Sequence, residues 1–125
     1  MSSVDVVDEL FITVPPSTLA PSLADPAAWR EYWPDLELSV YADRGAEGLR
    51  WTVAGALTGT MELWLEAVLD GTVVHYFLRA ERPGAVPFTP REAQRETVRR
   101  QRAQKKVAFT WKDQFEAGRP VGVAP

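Results

Sequence analysis

The chain has 125 residues, a length typical of one domain with one hydrophobic core. It contains no cysteine, which excludes disulfides, a thiolate nucleophile and cysteine-ligated metals. The first residues carry no Lys or Arg, as a signal peptide would require, and no window approaches the ~20 apolar residues of a membrane span, so we predict a cytoplasmic protein without membrane insertion.

The formal net charge of -3 conceals an uneven distribution along the chain. Residues 1–90 hold 5 basic and 13 acidic side chains, whereas residues 91–125 hold 9 basic and 4 acidic ones. A basic segment that follows an acidic body can serve a nucleic-acid partner, a protein partner or charge pairing within the fold.

The N-terminal part predicts one strand and a helical insert. Residues 5–14 alternate apolar and polar side chains, which indicates a half-buried strand with Leu10 and Ile12 on its inner face. Two consecutive prolines should end it. Residues 17–33 are predicted to form a short helix capped by Ser17 and then a second turn rich in aromatic residues.

A period of two returns after this insert and predicts an antiparallel meander. The predicted strands are 36–41, 49–57, 60–69 and 72–80. We expect a three-residue loop with Gly59 in the left-handed conformation between the second and third of them, because it keeps Trp51 on the apolar face.

The last hairpin of the meander is the sharpest local signal. The Asp-Gly pair at residues 70–71 predicts a two-residue type I′ turn, which fixes the register of the two strands. On the outer sheet face this register sets Trp64 opposite Phe77 and Glu66 opposite His75. We predict that Trp64 and Phe77 form the apolar centre of a two-fold homodimer interface, the alternative being a lone cross-strand pair.

The C-terminal part predicts one long helix over residues 90–117. Thr89 is the expected N-cap, with Glu92 completing a capping box, and Gly118 is the expected stop. The helix is polar almost all round in its first three turns. Its expected inner face consists of Ala103, Val107, Ala108, Trp111 and Phe115.

The order of these elements matches a known fold family. The residues that carry the match are Ile12, Val14, Pro15 and Leu19 at the entry to the insert, Trp29, Trp33 and Pro34 at its end, Asp70-Gly71-Thr72 before the last strand, and Trp111 in the helix. In this order the chain resembles the START-like superfamily (SRPBCC, helix-grip), and within it the small bacterial polyketide cyclase/dehydrase and lipid transport proteins.

The resemblance implies a single α+β domain over residues 1–125, in which a curved antiparallel sheet of about five strands grips the C-terminal helix. Family members enclose an apolar ligand between sheet and helix, and some are cyclases. The family usually has six strands after the insert, whereas this sequence predicts four, which implies a smaller cavity. The expected ligand-binding residues are Trp29, Trp33, Trp51, Val53, Leu65, Tyr76, Trp111 and Phe115.

The aromatic members of this set have two interpretations, pocket lining or plain core. Buried Trp and Tyr side chains need hydrogen-bond partners, and a core seldom uses so many of them where Leu would pack, which favours the pocket. We therefore predict a protein that binds an apolar small molecule. The alternative is a protein-interaction module of the same fold with a filled core, using the outer sheet face or the basic helix.

Other chemistry finds little support in the sequence. His75, the only histidine, is expected to form an ion pair with Glu66 rather than to act as a general base, because it points away from the pocket and lacks a nucleophile. We assign no catalytic residue, metal or cofactor. The basic run of the helix lacks interleaved aromatic residues and is expected to be a solvated face without a nucleic-acid partner; it comprises Arg95, Arg99, Arg100, Arg102, Lys105 and Lys106.

Overall fold

The computed structural model describes residues 2–117 as an α+β fold. Its elements are β1 (Val4–Ile12), α1 (Pro16–Leu23), α2 (Pro26–Tyr32), β2 (Leu36–Asp43), a 3₁₀ turn (Gly45–Glu47), β3 (Gly48–Gly55), β4 (Thr58–Val68), β5 (Gly71–Glu81) and α3 (Pro90–Glu116). The strands form one antiparallel five-stranded sheet in the order β1-β5-β4-β3-β2. The predicted fold class, an antiparallel sheet with a long C-terminal helix, is confirmed. None of these helices is long and apolar enough to cross a membrane.

The β4–β5 hairpin has a different register from the predicted one. Val68 pairs with Gly71, so the two-residue loop is Leu69 and Asp70, and Leu69 adopts a φ of 54° that is uncommon for this residue type. Gly71 instead lies inside β5, where a Cβ would meet the Ile12 carbonyl oxygen at 2.5 Å. Packing against β1 therefore determines where this glycine lies, and its predicted place in the turn is wrong.

The β3–β4 connection also uses a different glycine from the predicted one. Gly55 has a φ of 95°, whereas Gly59 is not among the residues with positive φ. A Cβ at Gly59 would lie 2.0 Å from the Arg79 carbonyl oxygen, so this glycine permits close approach of β5. Trp51 nevertheless lies on the buried face, opposite Met61, as the prediction for this connection required.

The helical insert begins earlier than expected. Pro15 is the N-cap of α1 and Pro16 its first residue, where a missing N–H leaves no bond unmade, so the prediction of Ser17 as cap is wrong. α2 is capped by Asp25, whose carboxylate accepts a hydrogen bond from the Ala27 N–H at 3.0 Å.

α3 begins with the predicted capping box. The Thr89 hydroxyl accepts from the Glu92 N–H at 3.2 Å, and the Glu92 carboxylate accepts from the Thr89 N–H at 3.0 Å. The helix extends to Glu116. The predicted stop at Gly118 lies outside the described residues.

The inner face of α3 is more polar than predicted. Its buried residues are Arg100, Gln104, Ala108 and Trp111. Ala103, predicted to be on this face, is exposed, while Val107 and Phe115 are partly buried. Arg100 and Gln104 can be buried because each finds a polar partner in the segment between α2 and β2, which the sequence pattern did not indicate.

Candidate functional site

A pocket of about 350 Å³ opens between α1, the 3₁₀ turn and the inner face of the sheet. Three leucines of the sheet form its floor, and small residues form its sides. We call it the α1 pocket; its walls include Ala20 and Leu23 of α1, Gly45 of the 3₁₀ turn, and Leu49, Leu63 and Leu65 of β3 and β4.

The α1 pocket exists because the side chains around it are short. Ala20, Ala24 and Ala46 extend no further than Cβ, and Gly45 and Gly48 lack even that. Gly48 could not be larger, since its φ is 114° and a Cβ there would meet the Leu63 carbonyl oxygen at 2.0 Å. The gap between α1 and the sheet is therefore set by backbone packing.

Two polar side chains, Ser17 and Asp43, border the α1 pocket. The Asp43 carboxylate accepts a hydrogen bond from the Gly45 N–H at 2.9 Å, which fixes the start of the 3₁₀ turn. Asp43 is the one titratable side chain among the described lining residues. A ligand here would meet mainly apolar surface with one carboxylate at its edge.

A cluster of aromatic side chains fills the space between the sheet and α3. We call it the ring cluster; it consists of Trp29, Tyr32, Trp33, Trp51, Tyr76 and Trp111. Its centre is Trp33, whose ring centroid lies 5.9 Å from that of Trp51 and 6.2 Å from that of Trp111. Such distances are those of rings in direct contact, so no ligand lies between these pairs.

The ring cluster has hydrogen bonds for only some of its polar atoms. The Trp29 indole donates to the Leu23 carbonyl oxygen at 2.7 Å, and the Trp33 indole donates to Gln104 Oε1 at 2.9 Å. Among residues 2–117, the buried Nε1 atoms of Trp51 and Trp111 and the Nε2 atom of Gln104 have no partner. The expectation that each buried indole finds a partner is therefore met at two positions and not at two others.

Tyr76 lies in the same cluster, with its ring stacked on Trp33 at a centroid distance of 6.1 Å. Burial raises the pKa of the Tyr76 hydroxyl well above its usual range, because the charged phenolate would lose its hydration. The hydroxyl is therefore neutral at physiological pH and can take part in a hydrogen bond.

An ion pair holds α3 against the segment before β2. Arg100, with 7% of its side chain exposed, donates to both carboxylate oxygens of Asp35 at 2.8 and 2.6 Å and to Glu96 at 2.8 Å. The hydrogen bonds from Arg100 hold the pKa of Asp35 below its usual range despite partial burial. This forked contact locks the helix over the ring cluster.

The outer sheet face carries a stack of three flat side chains. Trp64 lies on His75 at a centroid distance of 4.2 Å, and His75 lies 6.3 Å from Phe77. The predicted direct pairing of Trp64 with Phe77 is wrong, because the two-residue shift in register places His75 opposite Trp64. Each ring nitrogen of His75 faces a carboxylate, Nε2 with Glu66 at 3.0 Å and Nδ1 with Glu9 at 3.3 Å. The imidazole is buried beneath these contacts rather than exposed at the surface.

The structure brings the predicted ligand residues into one core but not around one pocket. Leu65 lines the α1 pocket, while the predicted tryptophans and Tyr76 belong to the ring cluster. Val53 is buried in the same core, and Phe115 packs partly buried against it. A role in ligand binding remains a prediction for all of them.

Sequence reasoning missed most of the α1 pocket, including Ala20, Leu23, Leu49 and Leu63. Large aromatic residues were taken as the sign of a pocket, whereas small residues surround the actual one. The run of Gly and Ala over residues 45–48 was the available signal, but its meaning depends on α1 packing opposite it.

Within residues 2–117, no group of three or more His, Cys, Asp or Glu side chains is arranged to hold a metal ion. The two carboxylates that flank His75 are occupied by its ring nitrogens.

Solved structures with the same architecture include three that cover most of this chain. The solution structure of the Aha1 dimer from Colwellia psychrerythraea has a TM-score of 0.67 at 14% identity, covering 94% of this chain and 99% of that chain. DR_A0006 from Deinococcus radiodurans has a TM-score of 0.56 at 14% identity, covering 82% and 98%. TTHA0849 from Thermus thermophilus has a TM-score of 0.55 at 16% identity, covering 93% and 99%.

No protein-family model matches the sequence, and no curated protein matches it. At these identities the similarity concerns the fold alone. The shared architecture is a helix-grip fold, as the order of elements indicated.

Proposed function

We propose that this chain binds a small, mainly apolar molecule in the α1 pocket. The mainly apolar lining is the observation that supports this most directly, and the volume of about 350 Å³ falls within the ~300–1,000 Å³ usual for ligand sites. The apolar floor of Leu49, Leu63 and Leu65 favours a hydrocarbon or aromatic surface. The resemblance to polyketide cyclase/dehydrase and lipid transport proteins, whose members enclose apolar ligands, supports a lipid fragment or polyketide-like ligand.

The proposed site lies between the sheet and α1, not between the sheet and α3 as the resemblance implied. The ring cluster occupies the latter space with side chains in mutual contact. We propose binding rather than catalysis, because Asp43 is the one titratable side chain among the described lining residues and His75 lies on the opposite sheet face.

Native mass spectrometry of protein purified from its own host should detect a co-purifying apolar molecule. An apolar naphthalene dye should also bind saturably and gain fluorescence. Ala20→Trp places an indole in the α1 pocket and should weaken dye binding at least ~10-fold. The reason is that the dye loses apolar contact equivalent to a few buried CH₂ groups. Ala27→Trp, on the exposed side of α2, is the matched control and should bind as the wild type does.

Two results would contradict the proposal. One is dye binding that Ala20→Trp leaves unchanged, which would place the dye elsewhere. The other is the absence of both a co-purifying molecule and saturable dye binding, which would favour the interaction module with a filled core.

The outer sheet face supports a second proposal, a homodimer. Trp64 and Phe77 are half-buried there, beside Val7 at 55% exposure and Tyr41 at 54%. The Aha1 protein of Colwellia psychrerythraea, of similar fold, was solved as a dimer. Aromatic residues with a charged rim are typical of interface centres.

Replacing both Trp64 and Phe77 by Thr should leave the fold intact and abolish the dimer in sedimentation velocity. Val86→Thr removes an exposed apolar side chain from a loop away from this face and should leave the dimer unchanged. A wild-type monomer at high concentration would show that the stack with His75 is a contact within one chain only.

A further inference from the structure

The outward side of α3 carries a stripe of exposed side chains. We call it the outward stripe; it consists of Arg91, Arg95, Val98, Arg102, Lys106 and Phe109. These positions follow the spacing i, i+4, i+7, i+11, i+15 and i+18, which places them on one side of an α-helix over ~27 Å. All six are exposed, and Phe109 has 51% of its surface open.

The basic residues of α3 fall into those that pair with a carboxylate and those that do not. Arg99, Arg100, Lys105 and Lys112 each form an ion pair with a carboxylate of this chain. The four basic residues of the outward stripe form no ion pair with any described residue. The first group ties the helix to the rest of the chain through Asp35, Asp8 and the Phe11 carbonyl oxygen, whereas the second group makes no such ion pair.

The surroundings of the outward stripe limit what can bind to it. The carboxylates of the first turns are engaged elsewhere, Glu92 in the capping box and Glu96 with Arg99 and Arg100, so the stripe is locally cationic. The rest of the chain is acidic, with 13 acidic and 5 basic side chains in residues 1–90. These acidic side chains would repel a large polyanion, such as a nucleic-acid duplex or an anionic membrane, over a wide area.

A narrow partner avoids this repulsion because it covers only the helix. The apolar Val98 and Phe109 within the stripe also favour a partner with apolar side chains, which a phosphate backbone lacks. A second copy of this chain offers no acidic helix, because its α3 is equally basic and its α1 and α2 together carry one carboxylate, that of Glu31.

We propose that the outward stripe docks an acidic helical segment of another protein, lying along α3. Carboxylates one turn apart on that segment would pair with Arg91, Arg95, Arg102 and Lys106, as charges flanking a helix pair do. Its apolar residues would cover Val98 and Phe109. This surface is separate from the α1 pocket, and docking here does not depend on ligand binding there.

The probe is a fluorescein-labelled 21-residue helical peptide with Glu at every fourth position and Leu beside that row, measured by anisotropy at physiological salt. The wild type should bind it saturably, with affinity that falls as salt rises. Arg95→Gln with Arg102→Gln should weaken binding about fivefold, the effect of losing two exposed ion pairs. Gln preserves length and helix propensity.

The matched control is Arg30→Gln with Arg79→Gln, which removes the same charge from exposed positions outside α3 and should bind as the wild type does. Thermal unfolding should be equal for both double variants. The proposal is overturned if a shuffled peptide of the same composition binds equally well. It is also overturned if the acidic peptide does not bind, or if duplex RNA or vesicles with anionic lipid bind more tightly at the same salt.

Discussion

The two ends of the concave sheet face differ in how completely side chains fill them. At the end covered by α3, the ring cluster places Trp33 in contact with Trp51, Tyr76 and Trp111. At the end covered by α1, alanines and glycines leave about 350 Å³ open. The same sheet thus supports a packed core and a cavity side by side, and the size of the covering side chains decides which forms.

The comparison predicts unequal losses of stability when one large side chain is removed from each end of the sheet face. Trp111→Ala should lower the free energy of unfolding by ~3–5 kcal/mol, because a 1%-exposed indole leaves a cavity among rigid rings. Leu65→Ala should cost about 2 kcal/mol, since one side of Leu65 already faces open space. Denaturant titration measures both. Equal losses would mean that the α1 pocket is closed in solution.

Enlarging a small side chain should also distinguish the end filled by the ring cluster from the end that holds the α1 pocket. Ala108→Leu at the closed end should lower the free energy of unfolding by ~1–3 kcal/mol through overpacking. Ala20→Leu, the same change at the open end, should alter it by no more than about 0.5 kcal/mol. A loss at Ala20 as large as that at Ala108 would contradict the open pocket.

The ion pair between Asp35 and Arg100 is expected to hold α3 in place over the ring cluster. Asp35→Asn should lower the free energy of unfolding by about 1–2 kcal/mol at neutral pH, since Arg100 keeps only Glu96 as a charged partner. Asp35 is more acidic folded than unfolded, so its contribution is complete above the unfolded pKa of ~3.9 and is lost as the pH falls through the folded value.

Urea titrations between pH 2 and 7 measure this contribution. The wild type should lose more stability than Asp35→Asn over the acid range. Asp70→Asn, in an exposed turn, should follow the wild type and serves as control. Parallel curves for wild type and Asp35→Asn would show that the carboxylate does not stabilise the helix contact.

The sequence predicted the elements of the fold well because their signals are local. The capping box at Thr89 and Glu92 involves residues three apart and could be recognised directly. The predicted register of the β4–β5 hairpin was wrong because it depends on a contact that is not local. Gly71 follows an Asp, which indicates a turn, but its backbone lies against β1 and a Cβ would meet Ile12. A contact between residues distant in sequence therefore overrode the local turn preference of Asp-Gly.

The candidate site was harder to predict for a similar reason. The sequence indicated that Trp33, Trp51 and Trp111 would lie together, and they do. Composition does not reveal whether neighbouring rings enclose space or fill it, since that depends on their relative orientation. The burial of Arg100 was equally hidden, because its partner Asp35 belongs to a segment far away in the chain.

The position of α3 after all five strands has a consequence for the growing chain. The helix supplies Trp111 and Gln104, which contact the Trp33 ring and accept its indole N–H, so Trp33 lacks these partners until α3 is made. At typical rates of synthesis, its 27 residues take about 1 to 5 s to add. During that interval the nascent chain leaves the α3 side of Trp33 and of the sheet core open, a surface of the kind that chaperones protect from aggregation.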